Sequence, residues 1–232
     1  MVTMIQKRDL DAYDLLGDPV LRLLREAEQP GDAPMSSQRW LLDSLPKRML
    51  YWRLYGDLLS ECEGLSILDV GGGYSSLTRV LADRHDYTVL DIFAHDDHTR
   101  VAALDAELGG VVVFGDWFRV PPERIFDVVV ANDLFPNVDQ RLELFLELHI
   151  PRCRELRLSL TFHNTPRFYE TRRVDGDETL FVLAWDGDQL ARALARACPA
   201  LDGPLDDLPE AVESLFANGR QICIATLLGD VR

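Results

Sequence analysis

The run Ile67-Leu68-Asp69-Val70-Gly71-Gly72-Gly73-Tyr74-Ser75 constrains this chain more than any other stretch. A short apolar segment enters three glycines and leaves into a helical pattern over 75–84. Four apolar-rich residues bounded by glycine read as a buried strand. The glycines permit a tight turn and a close backbone approach to a ligand, and the helix that follows offers unpaired N–H groups at its start. The pattern then repeats. Strands are predicted over 87–92, 111–114, 126–131 and 156–162, with helices over 96–108, stopped at Gly109-Gly110, and 138–149, closed by Pro151. Short apolar strands alternating with helices mean a parallel sheet covered on both faces, with its ligand crevice beyond the strand C-termini.

The flanks are organised differently. Residues 9–28 read as helix, broken at Gly17-Asp18-Pro19, and 29–34 as a loop. Ser36 or Ser37 caps a helix through Trp40, and Ser44 caps another with Pro46 in its first turn. That second helix is apolar on much of its circumference, from Met49 to Leu59, so it belongs against a core. After strand five, His163 to Glu170 reads as a loop and 179–185 as strand-like. Helices follow from Asp186 or Asp188 through Ala197 and over 208–218. A closing strand at 221–228 is expected inside the sheet and antiparallel to its neighbours. The expected division is a helical lid segment at 1–63 and a core at 64–232.

The glycine turn fails the dinucleotide fingerprint G-x-G-x-x-G, because Ser76 stands at the third glycine. It does match D-x-G-x-G, which resembles motif I of the class I S-adenosylmethionine-dependent methyltransferases. Asp91, twenty residues after Gly71, ends the second strand where a carboxylate can accept ribose hydroxyls. Gly115-Asp116-Trp117 and Ala131-Asn132-Asp133-Leu134-Phe135 end strands three and four. The resemblance covers residues 64–163 well. It implies a Rossmann-like α/β fold: a mostly parallel seven-stranded sheet, an antiparallel closing strand and an N-terminal helical lid. It implies S-adenosylmethionine as cofactor, S-adenosylhomocysteine as product, and Asp69, Gly71, Gly73, Asp91, Ile92, Asp116, Trp117 and Asn132 as cofactor-binding residues. In that family Asp116 would meet the adenine amine and Trp117 would pack on the ring.

Charge narrows the acceptor. The chain carries a net −15, which repels nucleic-acid phosphates and anionic lipid. The (D/N)-P-P-(Y/F) motif of nucleobase methyltransferases is missing after strand four. No secretory leader or membrane-spanning run is read, and Cys62, Cys153, Cys198 and Cys223 form no CxxC pair, so a cytoplasmic chain with reduced thiols and no metal is expected. Residues 64–150 hold 15 acidic and 6 basic groups, which suggests a small cationic substrate. Asp133 and His163 are the candidate catalytic residues. Substrate contacts are expected from both of these and from Asn164, Tyr169, Glu170, Tyr13, Trp40 and Tyr55. More finely, the chain resembles small bacterial natural-product methyltransferases of the free-arginine N-methyltransferase kind, which implies N-methylation of a guanidine or amine. O-methylation of a hydroxylated metabolite and a non-catalytic cofactor-binding role stay open, as does homodimerisation.

Overall fold

A computed structural model describes residues 1–28, 34–120, 124–136, 138–172, 179–198, 205, 208 and 213–231. Its strands are β1 (Val2–Met4), β2 (Ser66–Val70), β3 (Asp86–Asp91), β4 (Val112–Phe114), β5 (Phe126–Phe135), β6 (Cys153–Phe162), β7 (Arg167–Arg172), β8 (Thr179–Ala184) and β9 (Gln221–Leu228). Its α-helices are α1 (Lys7–Asp14), α2 (Pro19–Ala27), α3 (Ser36–Asp43), α4 (Leu45–Ser60), α5 (Ser76–Arg84), α6 (His98–Leu108), α7 (Leu142–His149) and α8 (Gly187–Ala197). Seven strands form one sheet in the order β1-β9-β6-β5-β2-β3-β4. The five from β6 to β4 are parallel, and β9 runs antiparallel to both β6 and β1. The order reverses at β2, so the crevice at its C-terminal end is the topological switch point where such sheets hold ligands.

Alternate residues along each strand supply two cores. Ile67, Val89, Val128, Val130 and Ile224 face one way, against α4, α5 and α6 residues such as Leu54, Leu77 and Val101. Leu68, Val70, Leu90, Val129 and Leu158 face the other, against Phe145 and Leu146 of α7 and Leu190 and Leu194 of α8. Both faces are therefore dry, which explains the continuous apolar strands in the sequence. Helix α4 starts where the Ser44 hydroxyl accepts from the Lys47 N–H, and nine of its residues are buried. No helix among the described residues is long and apolar enough to cross a membrane.

The sequence reading needs four corrections. The seventh strand of the sheet is β1 and not the segment 179–185, so residues 1–63 contain an edge strand as well as helices. The segment expected as a loop at 163–170 enters β7, which pairs with β8 in a separate two-stranded sheet. The helix expected over 138–149 begins only at Leu142, and residues 138–141 border the crevice instead. Within the helix expected over 208–218, residues 213–218 form bends and turns, while 209–212 lie outside the described residues. There the Ser214 hydroxyl accepts from the Phe216 N–H and donates to the Arg220 carbonyl. Such local side-chain bonding competes with a helix.

Candidate functional site

A cavity of about 1140 Å³ opens over the C-terminal ends of β2, β3 and β5. Its floor is Val70 to Gly73, one wall is Asp91 to Asp96, and its roof comes from Ser36, Ser37 and Trp40 of α3 with Lys47, Tyr51 and Tyr55 of α4. Gly115 to Trp117, Asn132 to Leu134 and Val138 to Arg141 line the far side, together with Val182, Asn218 and Arg220.

The glycine turn is fixed from below and above. Asp69 is buried under it; its two oxygens accept from the Tyr55 hydroxyl at 2.9 Å and the Tyr87 hydroxyl at 2.6 Å. Burial pushes this carboxyl up to about 6, against the two tyrosine hydrogen bonds, which favour the charged form. A Cβ at Gly72 would sit 2.4 Å from an Asp69 oxygen. Asp69 is thus a support beneath the turn and does not line the cavity. Gly73 has φ +62°, and a Cβ there would lie 1.9 Å from the Ser37 Oγ of the roof. The bare backbone at Gly73 is what lets α3 close over the turn.

Asp91 ties the turn to the neighbouring strand. Its Oδ2 accepts from the Gly73 N–H at 2.9 Å and its Oδ1 from the Phe93 N–H at 2.7 Å. Burial raises its pKa, although these two amides pull the other way. Each oxygen keeps lone-pair capacity towards the cavity. Next to it, Ile92 is 56% exposed and gives the cavity an apolar wall.

The far side is built from ion pairs. Arg141 bonds both Asp116 oxygens at 3.1 Å and Asp139 at 2.6 Å, and its guanidinium lies 4.7 Å from the centroid of the Trp117 ring. The Trp117 indole N–H donates to Asp139 at 2.8 Å, and its ring packs edge-on against Phe135 and Phe145. Asp116 and Trp117 line the cavity, but already hold Arg141. Asn132 accepts from the Ser159 hydroxyl, which in turn accepts from the Asp133 N–H, both at 2.7 Å. This pair fixes an irregularity in β5 where Asp133 takes φ +55°, a backbone state that non-glycine residues adopt where their surroundings impose it.

Two proposed catalytic roles change. The Asp133 carboxylate faces the cavity but is not free: Arg220 Nη1 reaches one oxygen at 2.8 Å and Nη2 the other at 3.3 Å. His163 lies outside the cavity lining. Its Nδ1 accepts from Arg167 at 3.1 Å, so in a neutral ring the proton sits on Nε2. Burial, then Arg167 and Arg220, pushes its pKa down to about 4. A ring with its lone pair taken by a guanidinium cannot accept a substrate proton, so His163 is no general base.

The remaining expected substrate contacts divide. Trp40 and Tyr55 line the cavity. The Trp40 ring meets His95 edge-on and carries the Lys47 ammonium 4.9 Å from its centroid. Tyr55 is committed to Asp69 and stacks on Tyr51 at 4.2 Å. Tyr13 is buried in the helical layer, donating to Asp18 and accepting from the Val20 N–H. Asn164 and Glu170 are exposed on the hairpin, and Tyr169 packs edge-on to His163; none of the three lines the cavity. Sequence reasoning missed Arg141 and Arg220, while Ser37 entered only as a helix cap and Tyr51 only as one aromatic of the helical lid. No spacing rule couples Arg220 to Asp133, 87 residues away.

No family model matches the chain. The ubiquinone biosynthesis O-methyltransferase of Paramagnetospirillum magneticum is 38% identical over 86 residues, covering 35% of this chain and 33% of that protein. The chain thus matches about a third of that curated relative's length. Among solved structures, the N-terminal domain of EvdMO1, in the presence of SAH and D-fucose, aligns with TM-score 0.54 at 14% identity, over 91% of this chain and 97% of that one. The 1,6-didemethyltoxoflavin-N1-methyltransferase of Burkholderia thailandensis, with bound 1,6-didemethyltoxoflavin and S-adenosylhomocysteine, aligns with TM-score 0.50 at 16% identity, over 82% of this chain and 80% of that one. The chain has the class I methyltransferase fold.

Proposed function

We propose that the protein is an S-adenosylmethionine-dependent methyltransferase acting on a small soluble acceptor. The observation that carries this is the Gly71–Gly73 turn, locked to the Asp91 carboxylate, at the floor of a cavity roofed by helices. Those residues fit the cofactor. Gly73 leaves bare backbone for a close approach, Asp91 retains acceptor capacity for two ribose hydroxyls, and Ile92 offers an apolar wall to a base. When bound, the cofactor supplies a methyl group on a sulfonium whose departure leaves a neutral thioether. The chain's own work is alignment and water exclusion. The roof does both: the Ser36 N–H donates to Asp96 at 2.9 Å and its hydroxyl to the His95 carbonyl at 3.1 Å, pinning α3 across the cavity. In this reading α3 and α4 are the lid, within an N-terminal segment 1–63 that serves the core 64–232.

The acceptor is narrower than the acidic composition implied. N-methylation of a cationic guanidine such as free arginine rests on an open carboxylate at Asp133, and Arg220 occupies that carboxylate. Asp116 and Asp139 both pair with Arg141. A neutral nucleophile, nitrogen or oxygen, suits the far side better. Incubation with methyl-labelled cofactor and a panel of phenols, hydroxy acids, amino acids and amines, read as gain of label, tests the activity. Labelled product from arginine and other guanidines alone would restore the cationic reading, and no product from any class would favour a non-catalytic role.

Asp91→Asn is expected to weaken S-adenosylhomocysteine at least about tenfold, since hydrogen bonds to a charged group contribute roughly 1.5–3 kcal/mol. The amide keeps the carboxylate's shape but turns one acceptor into a donor facing a backbone N–H. Calorimetry on the folded variant checks this, and unchanged affinity would remove Asp91 from the cofactor site.

A further inference from the structure

We propose that Arg220 anchors an acceptor that carries a carboxylate, and so sets the substrate class of the site. The inference rests on the methyltransferase reading above and deepens it. Arg220 lines the cavity, yet is only 8% exposed, and its surroundings are built around it. Phe216 lies under its guanidinium at 4.0 Å. The Asn218 side chain accepts from its backbone N–H at 3.2 Å, and its carbonyl accepts from the Ser214 hydroxyl at 2.6 Å. Asp133 meets the guanidinium through the two Nη atoms only. The buried Nε has no partner among the described residues.

That leaves the Nε edge of a planar fork unmet. A guanidinium carries five N–H donors, and adjacent donors pair bidentately with a carboxylate. Leaving a buried donor unsatisfied is unfavourable, so a carboxylate oxygen brought to Nε would be stabilising. Local charge agrees. Arg167 reaches the carbonyl of Asn218 at 2.9 Å and the ring of His163 at 3.1 Å, bringing a second cation beside the loop. Arg220 and Asp133 offset one another, and Arg167, which does not itself line the cavity, adds one positive charge beside the loop, in a protein whose net charge is −15. A carboxylate on the acceptor would be held by Arg220 while Asp133 fixes the guanidinium's orientation.

The test uses the protein saturated with S-adenosylhomocysteine, whose binding is measured first. Matched acid and amide probes, benzoate with benzamide and 4-hydroxybenzoate with 4-hydroxybenzamide, are then titrated by calorimetry. At least tenfold tighter binding of the acids is expected. Arg220→Lys keeps a charge beside Asp133 but loses the fork, and its acid preference should fall to about threefold or less. In Arg220→Met/Asp133→Asn both members of the ion pair are removed, which leaves no uncompensated charge and guards against misfolding, and the preference should vanish with cofactor affinity retained. Loaded wild-type protein that shows no acid preference, or binds no acid, overturns the inference, as does a preference that survives in both variants. Failure to bind S-adenosylhomocysteine at all would instead overturn the methyltransferase reading.

Discussion

A Gly73→Val protein is expected to lose measurable affinity for S-adenosylhomocysteine while keeping an α/β circular-dichroism spectrum. Gly73 has φ +62°, a left-handed state that costs an L-residue roughly 1–2 kcal/mol and a β-branched one more. The new Cβ would also stand 1.9 Å from Ser37 Oγ and 3.0 Å from Ser37 Cβ. The hydroxyl can rotate away, but the Cβ cannot without moving α3, which is pinned through Ser36 to Asp96. The substitution therefore attacks floor and roof together. A loss of about 100-fold corresponds to about 2.7 kcal/mol, within reach of strain plus a displaced lid. Gly73→Ala combined with Ser37→Ala relieves the clash and keeps the strain, so its affinity should fall between the two. Wild-type affinity in Gly73→Val would reduce the glycine run to an ordinary turn.

Acid stability offers the second large effect. His149 is fully buried at the end of α7, against the Phe145 ring at 4.2 Å and the Trp117 ring at 6.2 Å. Neither ring nitrogen has a partner among the described residues. Burial, reinforced by Arg152, pushes its pKa down to about 4. The unfolded chain takes up that proton near pH 6.5. The contribution of neutral His149 is thus whole above pH ~6.5 and is lost as pH falls towards about 4, where the folded state protonates too. At 1.36 kcal/mol per unit, the full span is about 3 kcal/mol. His163, also pushed down to about 4, acts with the same sign. Asp69, pushed up to about 6, opposes it. The informative quantity is therefore the difference between proteins. His149→Phe should lose distinctly less stability than wild type between pH 7.5 and 5.0 in urea unfolding. Equal losses would mean that the ring is hydrated or protonated in the folded protein.

Legibility followed burial. Strands β2, β3, β5, β6 and β9 stood out because both their faces are dry, which writes an unbroken apolar run. Helix α4 stood out for the same reason. Val2-Thr3-Met4 gave no comparable signal, because three residues carry no period. β8 was legible as the strand-like segment 179–185, but β7 was not, because Phe168 is exposed and Tyr169 only half-buried in a stretch with no apolar run. In the site, Gly71, Gly73, Asp91 and Asp133 all border the cavity because short-range geometry, strand then turn, places them there. What the sequence could not convey was pairing. Asp133 looked like an open carboxylate until Arg220 was seen against it, and His163 looked like a base until Arg167 was.

The first strand has a consequence for how the molecule comes together. β1 touches the sheet only through β9, with Val2, Thr3 and Met4 opposite Ala225, Ile224 and Cys223. The two strands lie more than 200 positions apart in the sequence, and contacts of such long separation are slow to form. Until then β9 has an uncovered edge, and an exposed, apolar edge is a template for another chain. By pairing along Val2 to Met4, β1 covers part of that apolar edge of β9.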